Sequence, residues 1–257
     1  MASPHHFSIF DSMRIELEFN GRNYTANLQR GISLASPLGN HALEYRAWSV
    51  PSVQIKPVKS GDWTGSVEQG ASVNFYDVVL NPHGNGTHTE GQGHIRREHQ
   101  SLNRAMHVFH FICRFIRLHP EEHFDDKVVR LKALQDKWQP EGEEALIIAT
   151  GAYPHGHDFT NTNPPYFEPE LMSYVREHQV RHFLTDLPSV DKEDDGGLLK
   201  AHNAFWPDGN PVSGGATISE MLMIPSSLEE GLYLLNLQIP ALENDAAPSR
   251  PVVYPLT

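Results

Sequence analysis

"ALIIATG", residues 145–151, is an apolar run that ends in glycine, and its reading decides the fold class. A continuous run this short suits a strand buried on both faces, as in a sheet covered by helices. "EPELMSYVREHQV" (168–180) then reads as a helix, and "RHFLTD" (181–186) returns to a strand. That β-α-β order predicts parallel pairing in part of the sheet and places the chain among mixed α/β proteins.

Working outward, "MHVFHFICRFIRL" (106–118) is ambiguous by periodicity, and its aromatic and β-branched content favours a strand. "DDKVVRLKALQDKW" (125–138) reads as a helix, with aspartates suited to an N-cap and Val128, Leu131, Leu134 and Trp138 on one stripe. Residues 13–28 alternate around Asn20-Gly21, a hairpin signal. Residues 45–82 read as short strands and turns ending in "SVNFYDVVL" (72–80), and further strands are expected at "TISEMLMI" (217–224), "YLLNLQI" (233–239) and "RPVVYPL" (250–256). Loops rich in Gly, Pro and acidic residues separate these elements and no internal repeat is present, so 1–257 reads as one domain, with 1–30 an N-terminal extension and hairpin.

Composition narrows the function. The formal net charge is −12, with 32 Asp and Glu against 20 Lys and Arg, which disfavours a grip on nucleic-acid phosphates. The longest apolar run, 109–115, is interrupted by His110 and Arg114 and is too short to cross a bilayer. The first residues lack the pattern of a secretory signal, so a cytoplasmic protein with no membrane partner is expected. Cys113 is the single cysteine, which excludes an internal disulfide and a thiolate-rich zinc site. Any metal must be held by imidazoles and carboxylates.

Such groups concentrate in "HGNGTHTEGQGH" (83–94), just past the strand expected at 72–80. In an extended chain residues two apart project to one side, so His88 and Glu90 can face one ion. Gly84, Asn85 and Gly86 tolerate the positive φ angles that would fold His83 back to the same ion. Two histidines and a carboxylate leave coordination positions open, as a catalytic site requires. His94 stands four residues beyond Glu90 and is placed to move protons rather than to ligate.

"NPHGNGTHTEGQGH" (81–94) resembles the metal-binding signature of the cyclase family of metal-dependent hydrolases, which includes bacterial kynurenine formamidases (arylformamidases) and isatin hydrolases. The family pattern runs approximately His-x-x-x-His-x-Asp-x-x-x-His. "ALIIATG", "HFLTDLPSVD" (182–191), "KAHNAFW" (200–206), "TISEMLMIP" (217–225) and the closing strands resemble further family segments in order, over roughly 30–257. The resemblance implies a swivelling β/β/α fold with a mixed, partly barrel-like sheet flanked by helices, assembled as a homodimer or higher homo-oligomer. It also implies a first metal held by His83, His88 and Glu90, a second sharing Glu90 with His202 and Glu220, and His94 as catalytic acid and base. The cofactor implied is one or two divalent ions per chain, zinc first and manganese second. The substrate implied is a small molecule whose amide, formamide or cyclic-amide C–N bond is cleaved by a metal-activated water, with an aromatic substrate such as N-formylkynurenine as the model.

Three departures from the pattern stand out. Glu90 replaces the usual Asp, the His83 to His88 gap is five rather than four, and Gly91-Gln92 stands where Ala-Pro is usual. An insertion, "WPDGNPVSGG" (206–215), lengthens the path from His202 to Glu220. Two other readings remain at this point, a non-haem iron oxygenase built on the same two-His-one-carboxylate set and a non-catalytic metal-binding scaffold. The pairs His178/His182, His119/His123 and His155/His157 read as solvated surface, His5 and His6 as part of a loose terminus, and Ser189 with Asp191 as a structural turn.

Overall fold

Ala145–Ala149 forms the expected strand, all five residues buried, and stands in the middle of a mixed nine-stranded sheet. The computed structural model describes residues 13–39, 41–98, 100–208 and 215–257. His5, His6 and the centre of the 206–215 insertion lie outside the described residues.

The sheet has a parallel centre and antiparallel wings. His110–Arg117, Ala145–Ala149, His182–Thr185 and Thr217–Glu220 lie side by side and parallel, which confirms the β-α-β reading. Parallel neighbours need long crossovers, and here each contains a helix: Leu131–Lys137, Pro169–Glu177 and Lys200–Phe205. Their buried residues Leu134, Leu171, Met172, Val175, Ala201 and Phe205 pack with Ile116, Leu146, Ile148, Phe183 and Ile218 from one face of the sheet. The other face, with Phe111, Phe115, Ile147 and Leu235, is covered by loop residues such as Leu34, Met106 and Leu222. The named crossover helices thus gather on one side of the sheet rather than on both.

Antiparallel strands complete each wing. Gly231–Asn236, Val252–Pro255 and Ile32–Ser33 follow His110–Arg117 on one side. His88–Gly91 and then Ala246–Pro248 follow Thr217–Glu220 on the other. The N-terminal hairpin pairs Arg14–Phe19 with Arg22–Asn27, and both Asn20 and Gly21 have positive φ, 52° and 70°, as a tight two-residue turn requires. Tyr76–Val79 is a strand as expected, yet it pairs with Gln54–Pro57 in an exposed two-stranded ribbon outside the main sheet.

Two expectations are corrected. Residues 125–138 are not one helix, because Asp126–Val129 is a strand between Glu121–His123 and Tyr166–Phe167. The buried β-branched pair Val128 and Val129 favours that strand, and the helix starts at Leu131, whose N–H donates to Glu168 Oε2 at 2.8 Å. His182 is not solvated surface either. It is buried, with Nδ1 2.9 Å from Thr217 Oγ1 and its ring centroid 3.9 Å from that of Phe111, and burial pushes its pKa down to about 3. Among the described residues no helix is long and apolar enough to cross a membrane.

Phe183 lies at the centre of the helix-side core, fully buried and edge-on to Phe167 at 5.1 Å. Phe183→Ala should cost about 3–5 kcal/mol, read as a lower denaturant midpoint at unchanged slope. An unchanged midpoint would mean that this face does not carry the stability of the sheet.

Candidate metal centre

His88–Gly91 runs antiparallel between Thr217–Glu220 and Ala246–Pro248. Strand alternation sends His88 and Glu90 to one face, and the register sets Glu220 directly opposite His88. Ile218, opposite Glu90, belongs to the helix-side core, so this trio faces the helices. Thr89 and Ser219 point the other way and their hydroxyls meet at 2.7 Å. The H-x-E spacing therefore does what an extended chain dictates.

His83 reaches the cluster from a pinned turn. Asn81 Oδ1 accepts from the N–H groups of His83 and Gly84, and Asn85 Oδ1 accepts from Asn81 N–H. Of the three residues expected to bend the chain, Gly86 has the positive φ, 64°. Gly84 serves close approach instead, since a Cβ there would lie 2.5 Å from Val50 Cγ2 and 3.1 Å from the Ala47 carbonyl oxygen. His94 sits in the 3-10 turn Gln92–Ile95 that follows the Glu90 strand. His202 comes from the helix Lys200–Phe205, whose N-terminus is capped from a distance: Asp191 accepts from Ala201 N–H at 2.7 Å and His202 N–H at 3.1 Å.

The six sequence-derived site residues meet around one carboxylate. Glu90 Oε2 lies 3.1 Å from His83 Nδ1 and 3.8 Å from His94 Nε2, and Glu90 Oε1 lies 2.9 Å from His202 Nε2. Glu220 Oε2 is 3.3 Å from His88 Nε2, and Glu220 Oε1 is 4.0 Å from His202 Nε2 while accepting from Val190 N–H at 3.0 Å. Ligand-type atoms converge within 4.8 Å of one another in two trios, His83/Glu90/His94 and His88/Glu90/Glu220. Glu90 belongs to both. The expected sets His83/His88/Glu90 and Glu90/His202/Glu220 likewise share Glu90, whose two oxygens face His83 and His202.

Each of three histidines spends one ring nitrogen on a fixed acceptor and turns the other inward. His88 Nδ1 lies 3.1 Å from the Gly86 carbonyl oxygen, which can only accept, so Nδ1 carries the proton. His202 Nδ1 lies 2.6 Å from Asp191 Oδ2, and His83 Nε2 lies 2.9 Å from Asp245 Oδ2. In each case the remaining nitrogen faces Glu90 or Glu220. His88 Nε2 is the sharpest instance, being buried without a hydrogen-bond partner and directed at a carboxylate. A lone pair against a carboxylate is repulsive unless a cation lies near both, and this observation shows that the residues present fit a divalent ion.

Without an ion, protons carry the compensating charge. Burial pushes the His202 pKa down, but hydrogen bonds to Asp191 and Glu90 outweigh it and lift it to about 10. His83 is likewise pushed down by burial and lifted, to about 10, by Asp245 and Glu90. Burial raises Glu90, and the hydrogen bonds from His202 and His83 overcome it, holding the carboxyl well below its ordinary value. Asp245 is held low by His83 and His94.

The site opens into a cavity of about 350 Å³ whose apolar walls include Trp48, Val50, Pro188 and Leu199. Trp48 contributes an indole ring to this lining. Phe75 and Tyr76 are exposed near or on the ribbon, and Trp206 is buried in the core with its ring 5.8 Å from that of His202. Asp191 acts as the structural residue expected, with Ser189 Oγ accepting its N–H at 3.1 Å. Asp245 escaped sequence reading, because it lies far along the chain in an acidic loop with no ligand-like spacing. Its signal is positional: it immediately precedes the strand Ala246–Pro248, beside Glu90.

Known proteins resemble this chain in sequence and in fold. The kynurenine formamidase of Bacillus cytotoxicus is 24% identical over 226 residues, covering 88% of this chain and 97% of that protein. That of Bacillus cereus is 23% identical over the same shares. A solved structure described as a predicted metal-dependent hydrolase from Bacillus stearothermophilus superposes with a TM-score of 0.60 at 16% identity, covering 88% of this chain and 98% of that one. An isatin hydrolase bound to the product analogue thioisatinate superposes with a TM-score of 0.60 at 13% identity, covering 89% and 93%. The putative cyclase family model matches residues 32–192, a span that holds His83, His88, Glu90 and His94 and ends before His202 and Glu220. With more than half of its length matched by that model, the chain belongs to the cyclase family.

Proposed function

We propose that this protein is a divalent-metal hydrolase that cleaves the C–N bond of a small amide, formamide or cyclic amide, with an aromatic substrate such as N-formylkynurenine. The observation that carries the reading is the buried His88 Nε2, which has no hydrogen-bond partner and faces Glu220 inside a cluster of imidazoles and carboxylates. Kynurenine formamidases among the relatives and an isatin hydrolase among the structural neighbours support the reaction class.

His83, His88 and Glu90 would hold one ion, and Glu90, His202 and Glu220 a second, with zinc ahead of manganese for a nitrogen and oxygen donor set. When bound, the ion supplies Lewis acidity, lowering the pKa of water towards about 7 and polarising the substrate carbonyl. The chain does the rest. Asp191 fixes the His202 ring so that Nε2 faces inward. Trp48, Val50 and Pro188 offer apolar surface to the body of the substrate and exclude water beside the scissile bond. His94, less buried than His88 or His202 and lining the same cavity, takes the proton from the attacking water and passes it to the leaving nitrogen.

His94→Ala should lower kcat for N-formylkynurenine by about 10²–10⁴-fold while leaving metal content unchanged by elemental analysis. A wild-type rate would remove His94 from the mechanism.

Metal uptake should release protons. His83 and His202 have pKa values lifted to about 10 from 6.5, and a ligating imidazole must be neutral. Below pH 10 both protons compete with the ion, so affinity should rise with pH through the neutral range. Calorimetric zinc titrations of the metal-free protein in buffers of different ionisation enthalpy should show this release. Heats independent of the buffer would contradict protonated ligands.

A further inference from the structure

Asp245 touches two of the clustered histidines through one oxygen. Its Oδ2 lies 2.9 Å from His83 Nε2 and 3.4 Å from His94 Nδ1. The two rings lie side by side, with centroids 4.2 Å apart and planes inclined at 32°. The backbone holds the carboxylate in register, since Gly91 N–H donates to the Asp245 carbonyl oxygen at 2.9 Å, one residue beyond Glu90. Asp245 is therefore fastened to the strand that carries the central carboxylate, while its side chain remains 20% exposed.

An ionised carboxylate can accept a hydrogen bond but cannot donate one. A histidine that turns one nitrogen to such a group keeps the proton there, and the other nitrogen becomes the base or the ligand. For His94 the nitrogen near Asp245 is Nδ1, so the free nitrogen is Nε2, on the side of Glu90. For His83 the nitrogen held is Nε2, which leaves Nδ1 for Glu90 and the ion. The 3.4 Å separation at His94 is longer than a hydrogen bond of ordinary strength, and catalytic contacts of this kind tighten when substrate binds.

Resting on the hydrolytic reading above, we propose that Asp245 is a positioning residue for that reaction. It selects the His94 tautomer with the proton on Nδ1, so that Nε2 is the atom that accepts and returns the proton. Asp245 acts through the His94 imidazole and does not itself take up the substrate proton.

The test uses Asp245→Asn, which keeps the shape and the backbone contact to Gly91 but offers an amide in place of the carboxylate. The expected result on N-formylkynurenine is a fall in kcat of about 10–100-fold with little change in KM and unchanged metal content. In a His94→Ala background the same substitution should cause almost no further fall, because the residue it orients is gone. Imidazole ¹⁵N spectra of the metal-loaded protein should show the neutral His94 ring protonated at Nδ1 in the wild type, and a shift towards the Nε2-protonated form in Asp245→Asn. That spectrum does not depend on turnover, so a chain inactive on amides would overturn the hydrolytic reading without deciding the role of Asp245 on the ring. Loss of metal in Asp245→Asn would make Asp245 a determinant of metal binding, directly or through His83, and would overturn the proposal. An unchanged His94 tautomer, or an equal loss of kcat in the His94→Ala background, would also overturn the proposal.

Discussion

A carboxylate with no access to water must be compensated, and Glu90 imposes that demand on everything around it. It is 1% exposed, in the middle of a strand paired on both sides. Leaving such a charge unpaired costs several kcal/mol, so it is tolerated when its oxygens are answered by donors or cations. Glu90 Oε2 is answered by His83, with His94 nearby, and Oε1 by His202. Four segments are drawn to one carboxylate, two of them beside it in the chain and two more than a hundred residues on: the 81–86 turn, the 92–95 turn, the helix after Asp191 and, through Asp245, the loop before the last edge strand.

The sheet makes this convergence possible. The parallel centre commits the chain to helical crossovers, and the last of them ends in the strand that carries Glu220. Attaching His88–Gly91 antiparallel to that strand puts His88 opposite Glu220 without any further adjustment. The helix Lys200–Phe205 lies over the same face, and its N-terminal N–H groups need an acceptor that Asp191 provides. One carboxylate thus caps a helix and orients His202 in the same act. In the absence of an ion, the protonated imidazoles of His83 and His202 compensate the charge of Glu90.

The parts of this architecture legible in the sequence are those governed by short periods. The buried strand at 145–149 and the H-x-E pair at 88–90 follow from local geometry alone. His202 and Glu220 required the family resemblance, since nothing local ties them to a motif more than a hundred residues earlier. Asp245 was invisible because an acid in an acidic loop carries no pattern. At 125–138 helical spacing misled, since Val128, Leu131, Leu134 and Trp138 stand at intervals that a helix also satisfies, although Val128 lies in a strand. His182 was missed for a similar reason: a histidine that starts an apolar strand is buried with it, whatever its spacing from His178.

Glu90 stands where the family pattern usually has Asp, and it is the residue on which the cluster converges. Its two oxygens face different histidines, and both convergent trios include it. Elemental analysis of the wild-type protein and Glu90→Gln, both purified without chelator and checked for fold by circular dichroism, tests this account most directly. The account predicts at least one divalent ion per wild-type chain and its loss from the folded glutamine variant. A wild-type protein that binds no divalent ion, or a variant that keeps its full complement, would contradict it.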